Sequence, residues 1–229
     1  WRNNYDLIGY FNSQLYGEFM RANVASMRSH GLEFTLSTQN IKRKNFSWNS
    51  DLIFSHAKNK ITDLYSPARI LDLVKGTGFP LVGYPVRSMF SIPFRGLNKE
   101  GLPTFLDQNG NITTTGIYFQ ERDKEKTKFL KYEGPIDPTI TGSLGNSFRY
   151  KNFSLNIFVT YSFGNVIRLD DIFSNEYDDL TSMTKEFRNR WTKTGDEAHT
   201  TIPAIADLRS IQQDGYLHRA YNAYNYSTE

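Results

Sequence analysis

KNFSWNSDLIFS (44–55) and KNFSLNIFVTYSF (151–163) begin with the same four letters and keep the same alternation. From each Phe onward, nearly every second residue is apolar, and the residues between are mostly Ser, Asn, Asp or Thr. A period of two is the pattern of a β-strand with one apolar and one polar face. A short basic turn precedes each copy, so each predicts the second arm of a β-hairpin.

Two hairpins are predicted from this pattern. The first pairs residues 31–37 with residues 46–55 across a polar turn at 40–45, with about nine to ten residues in each arm. The second pairs residues 140–150 with residues 153–163. A long irregular stretch containing several Gly and Pro follows the first hairpin, and a long polar, aromatic region follows the second. Short turns therefore alternate with long loops along the chain.

The composition favours an all-β fold. Aromatic residues make up 15% of the 229 residues, although the hydrophobic fraction is only 38%. Aromatic and β-branched residues punctuated by Gly and Asn are typical of strands and turns. No stretch approaches the ~18 consecutive apolar residues of a transmembrane helix. The net charge of +3 is too small to indicate nucleic acid as a partner, and the absence of Cys excludes a disulfide scaffold.

Two all-β architectures share the alternating pattern. In a soluble β-sandwich the apolar stripe is covered by a second sheet, and such a chain could be a carbohydrate-binding module of a secreted protein. In an outer-membrane β-barrel the apolar stripe faces lipid and the polar stripe faces a wet lumen. Short periplasmic turns alternating with long extracellular loops are characteristic of the barrel.

The sequence offers no catalytic or metal-binding motif. The histidines, at 30, 56, 199 and 218, lack the close pair spacing of a metal site, and no nucleophile elbow or phosphate loop is present. The acidic residues at 170, 171, 176, 178 and 179 match no calcium loop and are interpreted as a solvated acidic loop. We expect no enzyme activity and no cofactor.

Several phrases, in order along the chain, resemble the SusC/RagA family of TonB-dependent outer-membrane transporters of Bacteroidetes. They are NVASMRSHGLEFTL (23–36), FSWN (46–49) with NKI (59–61), VGYP (82–85) with GLPTFLD (101–107), GPIDPTITGSLGNSFRYKNFS (134–154), and RW (190–191) with GD (195–196) and Pro203. The stretch 134–154 is the most specific. Thr194 stands where this family usually has Pro.

The resemblance implies that residues 1–229 are a C-terminal part of a 22-stranded receptor barrel of antiparallel strands. On this interpretation the signal peptide, the plug domain and the closing strands lie outside the sequence. The implied function is TonB-dependent import of oligosaccharide or peptide across the bacterial outer membrane. The implied partners are a SusD-like surface lipoprotein, the TonB complex and the lipid bilayer.

Strand parity and the resemblance together assign candidate residues. The lipid-facing candidates are Phe46, Trp48, Leu52, Phe54, Phe153, Leu155, Ile157, Val159 and Tyr161. The lumen-facing candidates are Asn49, Asp51, Arg149, Asn156 and Thr160. The loop candidates for contact with substrate or partner are Phe173, Tyr177, Phe187 and Trp191. Trp48 could instead stack on a ligand, but its parity with Phe46 and Phe54 favours an interfacial aromatic girdle.

Overall fold

Long antiparallel strands joined by tight turns form the main sheet of this computed structural model, which describes residues 2–12, 19–65, 67–170, 184–205 and 215–228. The strands of the main sheet are β1 (Arg2–Asn12), β2 (Phe19–Arg43), β3 (Phe46–Leu64), β9 (Ile140–Tyr150) and β10 (Phe153–Phe163). Their order in the sheet is β1-β2-β3-β9-β10, and each neighbouring pair is antiparallel.

Shorter elements lie between β3 and β9 and after β10. They are α1 (Ile70–Val74), β4 (Ser88–Ser91), β5 (Phe94–Leu97), β6 (Pro103–Leu106), β7 (Ile112–Thr113), β8 (Lys131–Pro135), short 3₁₀ helices at Lys185–Asn189 and Asp196–Ala198, and α2 (Gly215–Asn225). β4 pairs with β8, and β5, β6 and β7 form a three-stranded sheet. In the described part of the chain, no helix has the length and apolar character needed to cross a membrane.

The two KNFS copies occupy equivalent places in the main sheet. β3 and β10 flank β9 on either side, so both run antiparallel to it and parallel to each other. Phe46 and Phe153, the third letters of the two copies, both pair with Tyr150. The backbone N–H of Lys151 donates to the carbonyl of Asn45 at 2.9 Å, so the two tight turns lie side by side.

The second hairpin has the strand limits that the sequence predicts, whereas the first is much longer than predicted. β2 has 25 residues and β3 has 19, against the expected nine to ten. The predicted turn at 40–45 shrinks to Lys44 and Asn45, because β2 continues to Arg43. β3 also extends through the polar residues 57–64, where the sequence predicts the start of an irregular loop. These residues, AKNKITDL, do not alternate apolar with polar side chains in the sequence, although Ile61 is fully buried in the structure.

Two compact units divide the chain. The first comprises residues 1–66, 80–88 and 134–166 and contains the main sheet. The second comprises residues 67–79, 89–133 and 167–229. Its buried hydrophobic side chains include Ile70, Leu73, Val74, Phe90, Ile92, Phe105, Ile117, Tyr221 and Tyr224.

Arg168 holds several segments of the second unit together. Its Nη2 donates to the carbonyls of Val74 at 3.2 Å and Phe90 at 2.8 Å, and to Ser91 Oγ at 3.1 Å. Its Nη1 donates to the carbonyl of Ser227 at 3.1 Å. A single guanidinium thus binds carbonyls at the end of α1, in β4 and near the end of the described chain, as its several fixed donors allow.

We expect Arg168→Lys to loosen this unit, because one ammonium cannot reach all of these acceptors. Hydrogen bonds to charged groups contribute about 1.5–3 kcal/mol each, so amide-exchange protection in β4 should fall by about tenfold or more. Exchange measured by mass spectrometry on residues 88–91 checks this. Arg188→Lys changes an exposed arginine of the same unit and serves as the matched control. Equal protection in both variants would contradict the role given to Arg168.

Two glycines of β9 are covered by aromatic side chains of β10 from opposite faces. Above Gly142 the ring of Tyr161 crosses the strand, and its hydroxyl donates to the carbonyl of Ile53 on β3 at 3.0 Å. On the other face the ring of Phe158 lies 3.5 Å from the place of a Cβ on Gly145. Gly142 therefore permits a tyrosine to link three strands.

We predict that Gly142→Val destabilises the sheet by about 1–3 kcal/mol, the usual cost of overpacking. The added Cβ would overlap the carbonyl oxygen of Ile53 and the Tyr161 hydroxyl. Gly145→Ala is the matched control, because its Cβ meets its neighbours at ordinary contact distance. Urea unfolding of the full-length receptor followed by gel mobility measures both. The packing argument is wrong if the alanine variant is the less stable one.

Candidate functional site

The register of the main sheet separates its side chains into an apolar and a polar face. Residues paired across antiparallel strands point to the same side. The rows of the apolar face, read from β3 through β9 to β10, are Phe46–Tyr150–Phe153, Trp48–Phe148–Leu155, Ser50–Asn146–Ile157, Leu52–Leu144–Val159 and Phe54–Gly142–Tyr161. All of the predicted lipid-facing residues fall on this one face. Contact with lipid itself stays a prediction.

The apolar face is open rather than covered by another part of the first unit. Phe153 is 79% exposed, Leu155 58% and Val159 52%. β9 and β10 have 11 residues each, which span about 36 Å along the strand at ~3.3 Å per residue. At a tilt of about 45° this rises by about 25 Å, the height of the apolar band of outer-membrane barrels.

The turn end of this face is aromatic. Trp48 stacks on Phe148 with ring centroids 5.7 Å apart and an interplanar angle of 18°. Tyr150 and Phe153 lie closer to the turn, and the Lys151 Nζ sits 5.4 Å from the centroid of the Tyr150 ring. Aromatic side chains with basic neighbours are typical of the membrane–water interface. The geometry is that expected of an interfacial girdle.

A chain of polar side chains crosses the apolar face, and sequence reasoning missed it. Asn146 Oδ1 accepts from Trp48 Nε1 at 3.0 Å and from Ser50 Oγ at 2.7 Å. Ser50 Oγ in turn accepts from Asn40 Nδ2 at 2.6 Å, and Asn40 Oδ1 accepts from Thr38 Oγ1 at 3.0 Å. Unpaired polar groups are costly away from water, so mutual pairing is what makes these residues tolerable on such a face. The signal in the sequence is that Ser50 and Asn146 interrupt the apolar parity.

The opposite face is polar, and it carries all of the predicted lumen-facing residues. Its rows, from β2 to β10, are Lys42–Ser47–Arg149–Ser154, Gln39–Asn49–Ser147–Asn156, Ser37–Asp51–Gly145–Phe158 and Thr35–Ile53–Ser143–Thr160. The rows nearest the turns line a hollow of about 370 Å³. That this face borders a lumen stays a prediction. Ile53 and Phe158, 46% and 69% exposed, are the apolar exceptions.

A β-bulge in β2 places Lys42 on the polar face. Gln39 pairs with Asn49 and Ile41 pairs with Trp48, so Asn40 is left as an extra residue. The extra residue reverses the parity of the rest of the strand, because side chains alternate with a period of two. Strict alternation from Gln39 would have put Lys42 on the apolar side.

Two of the loop candidates lie in packed positions, and the other two, Phe173 and Tyr177, lie outside the described residues. Phe187 is 9% exposed, and the guanidinium of Arg190 sits 5.2 Å from its ring centroid. Trp191 packs over Gly101 so closely that a Cβ there would overlap its ring. A role for Phe187 or Trp191 in contacting substrate or partner is a prediction that these packing contacts do not support.

Two carboxylates shape the loop that follows Trp191. Asp196 Oδ2 accepts from the Thr192 hydroxyl at 2.8 Å and from the backbone N–H of Thr192 and Lys193. Glu197 Oε2 accepts from Trp191 Nε1 at 3.1 Å and from the backbone N–H of Gly195. The bond from the Thr192 hydroxyl is the main reason that the pKa of Asp196 is lowered, and backbone and indole donors lower the pKa of Glu197. Both carboxylates are engaged in holding the loop. Among the described residues, no cluster of three or more His, Cys, Asp or Glu is placed to bind a metal ion.

Comparison with known proteins gives consistent relatives. No protein-family model matches the chain. TonB-dependent receptor P26 of Formosa agariphila is 30% identical over 206 residues, covering 80% of this chain and 19% of the relative. TonB-dependent receptor P3 of the same organism is 26% identical over 204 residues, covering 82% and 20%. TonB-dependent receptor SusC of Bacteroides thetaiotaomicron is 26% identical over 224 residues, covering 92% and 20%.

Solved structures agree on the fold. The structure of the RagAB peptide transporter has a TM-score of 0.60 at 23% identity, covering 85% of this chain and 22% of that one. The RagAB peptide importer in its closed-closed state has a TM-score of 0.63 at 21% identity, covering 90% and 23%. The antiparallel sheet thus matches the barrel of RagA-like receptors, although the sheets of the described residues do not close into a ring.

By sequence, the chain is similar to proteins of one class, the TonB-dependent receptors. The chain spans about a fifth of the length of the curated relatives it matches. Within that class the chain is similar to part of the SusC/RagA-family transporters, which confirms the resemblance drawn from the sequence.

The Asp196–Glu197 loop should loosen in acid. Because the pKa of each carboxyl is lowered in the folded chain, its stabilising contribution is complete above the unfolded values of about 3.9 and 4.3. That contribution is lost as the pH falls through the lowered folded values. Amide exchange of Thr192, Lys193 and Gly195, corrected for intrinsic rates, should therefore accelerate below about pH 4. Asp196→Asn should lower the amide-exchange protection of this loop at neutral pH and make that protection less dependent on pH. A wild-type loop with constant protection down to about pH 2.5 would refute this account.

Proposed function

We propose that the chain is part of the wall of a bacterial outer-membrane importer that takes up nutrients. The observation that carries the proposal is the open apolar face of β3, β9 and β10, backed by a polar face on the same strands. A soluble protein would have to cover this face, whereas lipid is its natural solvent. The relatives named as TonB-dependent receptors support an outer-membrane location.

The mechanism we assign is gated passage without chemistry on the cargo. The polar face offers hydroxyl and amide groups in successive rows, which can form weak, exchangeable hydrogen bonds with a solute in water. No catalytic step is assigned to any of these residues. Energy for import would come from the inner membrane through the TonB complex, by a part of the receptor outside this sequence.

The proposed external partner is a SusD-like surface lipoprotein that holds cargo against the long loops. Support comes from the SusC relative and from the RagAB structures. The RagAB proteins are described as a peptide transporter and a peptide importer. We propose oligosaccharide or peptide as cargo for this receptor, and the polar face, with both amides and hydroxyls, suits either.

Single-cysteine labelling of the full-length receptor in native outer membranes tests the orientation. Ile157 and Thr160 lie on the apolar and the polar face of β10, respectively. We expect Ile157→Cys to react with a lipid-phase maleimide at least about tenfold more than Thr160→Cys, since lipid concentrates the reagent at the apolar face. This chain contributes no native cysteine to the background.

Failure of the Ile157→Cys variant to label in the membrane fraction would exclude the proposed orientation. Recovery of the receptor as a soluble protein, with the thiol at position 157 protected from both lipid-phase and aqueous maleimide, would instead indicate the soluble carbohydrate-binding module. A matched pair on the same strand removes differences in expression and in local backbone environment.

A further inference from the structure

The hollow on the polar face has the character of an anion site. We call it the Lys42–Arg149 hollow; its lining includes Lys42, Arg149, Gln39, Asn49, Ser154 and Asn156, and its volume is about 370 Å³. It lies at the turn end of the first unit, on the face opposite the aromatic girdle. All of these residues belong to the main sheet, so the hollow is built on a hydrogen-bonded framework rather than on loops.

Two cations flank Ser47 in the row nearest the turns. Ser47 pairs with Lys42 on one side and with Arg149 on the other, which puts their Cα atoms about 10 Å apart at ~4.8 Å per strand. Neither side chain forms an ion pair with any described residue. On this face the nearest acidic residue of β3 is Asp51, about 13 Å further along the strand. Within the described part of the sheet, the local charge is therefore positive and uncompensated.

Amide side chains form the next row of the hollow. Gln39, Asn49 and Asn156 share this row with Ser147. An amide both donates and accepts, so a row of amides matches the alternating N–H and C=O groups of an extended polypeptide. The neighbouring cations match a carboxylate, and a guanidinium can bind one with two parallel hydrogen bonds. The amide row and the two charges together select an acidic peptide segment rather than a neutral solute.

We propose that the Lys42–Arg149 hollow holds an acidic segment of the receptor's own polypeptide, with one Asp or Glu carboxylate between the two cations. This proposal rests on the proposed function, because it needs the polar face to lie inside a barrel. The relatives are about five times as long as this chain, and the 22-stranded barrel that the family resemblance implies has a plugged lumen, so polypeptide would be available inside. The bulge at Asn40 contributes to this site, because it sets Lys42 opposite Ser47 on the polar face.

Zero-length carbodiimide cross-linking in native outer membranes identifies the occupant. The reagent activates a carboxylate, the Lys42 amine attacks the activated carbonyl carbon, and an amide forms with net loss of one water, which the carbodiimide takes up as it becomes a urea. Because no spacer is added, only a carboxylate in contact with Nζ reacts. We expect tryptic mass spectrometry to recover Lys42 joined to an Asp or Glu of the same receptor chain. In Lys42→Arg the cross-linked peptide should be lost completely, because a guanidinium does not react.

Arg149→Lys extends the test to a carboxylate seated beside Arg149. This variant keeps the charge and adds a reactive amine at the other side of the hollow. Absence of any intrachain cross-link from position 42 or 149 in both the wild type and this variant would overturn the proposal. A cross-link to a separate chain, such as a cargo peptide or a partner protein, would also overturn it.

Maleimide labelling of the Ile157→Cys variant separates this failure from failure of the proposed function. A receptor that labels from lipid and yields no cross-link is an outer-membrane barrel without an acidic segment in the hollow. If the Ile157→Cys receptor does not react with the lipid-phase maleimide, the proposed outer-membrane function itself is wrong, whatever the cross-linking shows. Lys58 and Lys60, near the other end of β3, serve as internal reference amines for reagent activity.

Discussion

The register that β9 keeps with β3 on one side and β10 on the other decides which side chains share the apolar face and which share the polar one. Phe46 and Phe153 both pair with Tyr150, so the KNFS copies stand at the same height. A slip of one residue would exchange the two faces of a strand. The register is held by backbone ladders, by the contact between the two turns, and by the Tyr161 hydroxyl that reaches β3 across Gly142.

The sequence was sufficient for the hairpins and for the two faces, because alternation is a local property that each strand carries by itself. It predicted β9 and β10 with their observed limits. It failed on the length of β2 and β3, since the residues beyond the predicted arms, such as 57–64 of β3, show no apolar period. It assigned Lys42 to the turn at 40–45 and gave it no face, because a bulge is a property of the pairing between strands and not of either strand alone.

The loop aromatics show a different limit. Phe187 and Trp191 are candidates by sequence because exposed aromatic rings often contact ligands, but aromatic content cannot distinguish an exposed ring from a packed one. In the structure Phe187 is buried and Trp191 lies over Gly101. The residue that makes room for the indole is Gly101, which lies far from Trp191 in the sequence. Only the fold brings Gly101 beneath the Trp191 ring.

The bulge at Asn40 lets β2 carry one residue more than the facing part of β3 while the paired side chains on either side keep their faces. Deleting Asn40 alone would restore strict alternation between Gln39 and the turn, leaving every other letter unchanged. Ile41 would then follow Gln39 directly and stay opposite Trp48 on the apolar face, and Lys42 would stay opposite Ser47 on the polar face. The Asn40 link between Thr38 and Ser50 would disappear. The chain can therefore lose this one residue without exchanging the two faces next to the turn, and the cost is the polar link across the apolar face.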